Sequence, residues 1–113
     1  MKLRDLDPEF LRYIGERDMH VGDPPDVGIA ESDAIMFLCP TCFAKNSGRV
    51  GTHRVICNRP HVPQSEYRVG PGRWQFEGTG FDDLTLVAGS SSIALQGGCA
   101  AHFFVRAGEI VQA

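Results

Sequence analysis

Ala34-Ile35-Met36-Phe37-Leu38-Cys39-Pro40-Thr41-Cys42 is apolar over five positions and then closes on two cysteines separated by two residues. An unbroken apolar run of this length reads as a strand buried on both faces. The Cys-x-x-Cys turn that follows places two thiolates on one tetrahedral metal ion. A strand ending in half a metal site needs its other half from elsewhere in the chain. Cys99-Ala100-Ala101-His102 has the same spacing, with an imidazole in place of one thiolate. The expected site is therefore Zn2+ held by Cys39, Cys42, Cys99 and His102, a closed shell with a structural role. The 56 residues between the two pairs are compatible with this, because loop length enters closure entropy only logarithmically. Single-ligand replacements by Cys57, His53 or His61 are the alternatives. Cys57, in an alternating segment, reads better as a small buried hydrophobe. His20 reads as a surface histidine.

Working outward, Leu6-Asp7-Pro8-Glu9-Phe10-Leu11-Arg12-Tyr13-Ile14 predicts a short N-terminal helix, with Asp7 as cap, Pro8 in the first turn and Glu9 favourable to the dipole. Gly15 to Asp33 carries Gly22-Asp23-Pro24-Pro25-Asp26 and predicts an irregular arm. Beyond the cysteines, His53 to Asn58, Trp74 to Glu77, Leu84 to Val87, Ile93 to Gln96, His102 to Val105 and Glu109 to Val111 read as strands. Trp74 and Phe76 face inward in this reading. Turns are expected at Asn46-Ser47-Gly48, Gly78-Thr79-Gly80, Gly89-Ser90-Ser91-Ser92 and Gly97-Gly98, and a hairpin turn across Arg106-Ala107-Gly108. A long proline-bearing loop joins Arg59 to Arg73, and loops of that length tend to be functional or mobile. The expected fold is mainly β: a small antiparallel, sandwich-like sheet domain with a zinc clip. One domain is expected over 1–113, with helix and arm in 1–33 and the sheet in 34–113.

With 113 residues, 42% of them hydrophobic, the chain can build only a modest core, so a metal staple makes thermodynamic sense. Four cysteines favour metal over disulfides in a reducing compartment. No apolar run approaches a membrane span or a signal region, so the bacterial cytosol is the expected location. The net charge of −3 hides a division. Residues 1–34 carry four basic and nine acidic side chains, 35–73 six and one, and 74–113 one and four. The basic island comprises Lys45, Arg49, Arg54, Arg59, Arg68 and Arg73, and is the expected surface for an acidic or nucleic-acid-facing partner.

The metal motifs of hydrolytic enzymes are absent. There is no His-Glu-x-x-His, the proline lies inside the cysteine pair rather than before it as in zinc deaminases, and Gly70-Pro71-Gly72 lacks the lysine and helix of a phosphate loop. No enzyme activity and no small-molecule substrate are expected.

Several stretches together resemble a family of small proteins encoded by bacteriophages and prophages. They are Leu6-Asp7-Pro8, Ile35 to Cys42, Gly72-Arg73-Trp74-Gln75-Phe76-Glu77-Gly78-Thr79-Gly80, Leu84-Thr85-Leu86 and Cys99 to Glu109. The resemblance implies the same four ligands and a phage or prophage origin. This chain departs from the family at Ala101, where an aromatic residue usually precedes the histidine, and at Ala107, where Asn-Gly usually forms the turn. The functional expectation is a non-enzymatic binding module engaging a host or phage protein, for example an inhibitor of a host defence complex. The alternative is a nucleic-acid binder acting through residues 45–73.

Overall fold

The computed structural model describes residues 1–23, 26–65, 72–87, 93–94 and 101–112. Arg68, Cys99, the Gly97-Gly98 bend and the Gly89 to Ser92 turn lie outside the described residues. The mainly β class is as expected. β1 (Glu9–Ile14), β2 (Asp18–Gly22), β3 (Ala34–Leu38) and β4 (Arg54–Asn58) form an antiparallel sheet in the order β2-β1-β3-β4. β5 (Gln75–Glu77) pairs with β6 (Thr85–Val87), and β7 (Ile93–Ala94), β8 (His102–Arg106) and β9 (Glu109–Gln112) form a third antiparallel unit. Among the described residues one α-helix, α1 (Pro40–Asn46), follows β3 directly.

The N-terminal helix and irregular arm are corrected. Residues 3–6 form a single 3-10 turn that ends at Asp7 in the left-handed region, φ 52°, and the chain then extends as β1. Apolar residues at 10, 11 and 14 suit either element. Pairing on both edges decides, because β1 bonds β2 on one side and β3 on the other. Phe10 and Leu11 point to opposite faces of the strand and both are fully buried, so the sheet is covered on both sides here. Within the expected arm, Asp18–Gly22 forms the outer strand β2, with every side chain through Val21 exposed, His20 included.

β3 is the buried spine. Ala34, Ile35, Phe37 and Leu38 are buried, as an apolar strand between two partners should be. Its register with β4 runs Ala34↔Asn58 to Leu38↔Arg54. Ile35, Phe37, Val55 and Cys57 therefore share one face, which Phe10 joins opposite Ile35. The other units pack against this face. Phe81 stacks on Phe10 at 4.7 Å between ring centroids, and Phe103 of β8 meets Phe37 edge-on at 6.1 Å. Trp74 and Phe76 pack against the same core, half-buried.

The β8–β9 hairpin closes through Ala107 and Gly108 alone, with Arg106 opposite Glu109. Both turn residues have positive φ, 48° and 76°, as a primed turn requires. Gly108 is also where three parts of the chain meet. Its carbonyl accepts from Leu3 N at 2.8 Å, and its N–H donates to Leu84 O at 2.8 Å. A Cβ there would lie 2.2 Å from the Asp82 carbonyl oxygen.

Candidate metal centre

Where β3 ends, Cys39 takes the N-cap position of α1, with φ −60° and ψ 122°. Pro40 occupies the first helical position, where its missing N–H is harmless. The Cys-x-x-Cys motif is thus a strand end plus the first turn of a helix, rather than an isolated turn. Phe43 N donates to Cys39 O at 2.8 Å and closes that turn. Ser47 then adopts φ 54°, Gly48 N donates to Phe43 O at 3.0 Å, and the helix stops after seven residues.

The chain returns through a braced loop. Thr52 Oγ1 donates to Gly48 O at 2.6 Å, and Thr52 N to Arg49 O at 3.0 Å. Continuing the β3–β4 register one step past Leu38↔Arg54 sets Cys39 opposite His53, and Cys39 N donates to His53 O at 2.8 Å. Directly opposed residues of an antiparallel pair share a face. The ligand atoms of Cys39, Cys42 and His53 accordingly lie within 4.8 Å of one another, a group able to hold a metal ion. Cys39 is buried, Cys42 half-buried and His53 exposed, so the group grades from the core to the surface. His53 Nδ1 lies 3.4 Å from the Arg54 carbonyl oxygen.

This imidazole comes from His53, weighed above only as a replacement. His102 begins β8 with its side chain exposed and is not a member of the group. Alternation explains this, because Phe103 and Val105 turn into the core and force His102 to the opposite face. Cys99 lies outside the described residues. Cys57 is fully buried, in register with Ile35, and burial pushes its thiol pKa far up, as befits a packed, unreactive residue. His61 pairs instead with Asp33 at 2.6 Å.

The basic island is largely employed within the molecule. Arg49 and Arg54 both reach Asp7 Oδ2, at 3.2 and 3.3 Å. Arg59 Nη1 donates to the Ile29 and Ser32 carbonyls at 3.0 and 2.9 Å, and its guanidinium lies 5.5 Å from the centre of the Phe76 ring. Arg73 Nε donates to Val62 O at 2.8 Å. Lys45 sits in the last turn of α1, and beyond it Arg49 keeps 69% of its side chain exposed beside Val50, 90% exposed. No helix among the described residues is long and apolar enough to cross a membrane.

Comparison with protein-family models, with curated proteins and with solved structures finds no match to this chain.

Proposed function

We propose that the chain is a zinc-stabilised β module that acts by binding another protein, with the ion as a structural clip. The observation that carries this reading is the convergence of Cys39, Cys42 and His53 at the paired ends of β3 and β4. Two thiolates and an imidazole form a soft set suited to zinc, and the alkaline-earth ions prefer oxygen. In this reading Cys99 supplies the fourth ligand. A third thiolate closes the shell, excludes a reactive water and makes the site structural.

The partner-facing surface in this reading is the end of α1 and the loop beyond it, where Lys45, Arg49 and Val50 stand exposed beside the clip. A loop braced at its root by metal holds those side chains in place before binding, which lowers the ordering cost of association. A phage setting, with a host protein as partner, is the corresponding biological proposal.

Cobalt substitution tests the shell. Thiolate-to-cobalt absorption corresponding to three sulfurs, reduced by about a third in Cys99→Ser, is expected. Absorption from two sulfurs with an exchangeable water would instead make the site open and overturn the structural reading. Charge reversal at Lys45 and Arg49 should abolish capture of the partner without changing the circular dichroism spectrum. Undiminished capture would remove this loop from the interface.

A further inference from the structure

A second site lies on the sheet away from the thiols. A cavity of about 340 Å³ is lined by Tyr13 at the end of β1, Gly15 and Glu16 in the β1–β2 turn, Asp33 just before β3, and His61 to Pro63 with Ser65 in the loop after β4. Its volume falls at the small end of the range for ligand pockets.

The polar groups around it are built in. Asp33 is fixed through its backbone on both sides: its N–H donates to Leu11 O at 2.7 Å, and its carbonyl accepts from Arg59 N at 2.9 Å. Its carboxylate accepts from Tyr13 N at 2.7 Å through Oδ2 and meets His61 Nε2 at 2.6 Å through Oδ1. A carboxylate oxygen accepts, so the His61 Nε2–H donates to Asp33 Oδ1. The Tyr13 hydroxyl donates to Asn58 Oδ1. The loop wall is held by Val62, which is buried and whose carbonyl accepts from Arg73 Nε.

The carboxylate of Glu16 has no hydrogen-bond partner among the described residues, and no lysine or arginine is among the described residues that line the cavity. Two carboxylates, Asp33 and Glu16, flank one imidazole, with an aromatic residue at the edge. Hydrogen-bond acceptors and negative charge around a concave volume select a ligand rich in N–H donors and positively charged.

We propose that this cavity binds an organic cation bearing N–H donors, the guanidinium or ammonium of a small amine or of a basic side chain on a partner peptide. Glu16 supplies the counter-charge, and Asp33, with the His61 imidazole it holds, completes the polar lining. The site is independent of the metal centre and stands or falls separately from it.

The test is NMR titration of the full chain with N-acetyl-arginine amide, and with N-acetyl-citrulline amide as a neutral analogue of the same shape. Shifts confined to the amides of Tyr13, Gly15, Glu16, His61 and Val62 are expected, with the citrulline compound at least tenfold weaker. Glu16→Gln and His61→Ala, both at solvent-accessible positions, should each weaken binding by about tenfold while the remaining spectrum is unchanged. Tighter binding of an arginine-containing tripeptide would identify a peptide side chain as the natural source, and equal binding a free amine. Absence of shifts at these amides, equal binding of the citrulline compound, or wild-type affinity in Glu16→Gln would overturn the proposal.

Discussion

Two antiparallel pairs in this protein are closed in opposite ways. β8 and β9 are joined by two residues whose left-handed backbone fits the strand twist. β3 and β4 are joined by residues 39–53, which contain a helix, a braced loop and three side chains able to hold a metal ion. The short connection is held by local backbone conformation and needs nothing from outside the chain. The long one brings Cys39, Cys42 and His53 together, and in the proposed reading an ion held by them fixes it. A few residues can define a turn, but a long excursion in so small a protein needs an added constraint to keep one geometry.

The comparison breaks most severely if the ion is removed. Chelation, or Cys39→Ser, should unfold the β3–β4 end of the sheet, since structural zinc supplies on the order of 10 kcal/mol in small zinc peptides. A thermal transition unchanged by a chelator would refute the clip. Next in size is the rigid turn. Gly108→Ala should destabilise by about 3 kcal/mol or more in urea unfolding, because a left-handed φ and a 2.2 Å approach to the Asp82 carbonyl are both forced.

A sharper version concerns which histidine serves the metal. His53→Ala should lower zinc affinity by roughly a hundredfold or more in competition with a chelating dye, and His102→Ala should leave it unchanged. The reverse order would favour the Cys99–His102 pair as the second half of the site. At the other hairpin, Ala107→Asn should raise stability by up to about 1 kcal/mol, since Asn tolerates the left-handed region better than Ala.

The smallest effect is the acid limb. The Arg4 hydrogen bond holds the Asp82 carboxyl below the ordinary carboxylate range, and the N–H groups of Thr79 and Gly80 do the same for Asp83. A depressed folded-state pKa contributes stability that is present above the unfolded value of about 4 and lost as pH falls through the folded one. Stability should thus be flat in this respect above about pH 5 and fall below pH 4. Asp83→Asn should show a shallower fall, measured as the urea midpoint against pH.

What could be read in advance follows the range of the interactions involved. β3 was legible because five apolar residues in a row admit one environment. The β8–β9 hairpin was legible because Gly108 marks a turn even with Ala107 beside it. β1 was not, since Asp7-Pro8-Glu9 carries helix-start chemistry and only pairing with β2 and β3 overrides it. Cys39 and Cys42 were evident from local spacing. His53 owes its place to strand register, which is set by contacts across the sheet, so a matching spacing at Cys99 and His102 was the stronger sequence signal. The cavity beside His61 left no motif, because Tyr13, Asp33 and His61 come from three separate segments.

Cys57 gives the molecule an internal clock. Its sulfur is sealed beneath the sheet opposite Ile35, so an alkylating reagent can reach it only when the strands part. Labelling at that position, followed by mass spectrometry, would time whole-sheet opening separately from the fraying of the thiol-bearing corner.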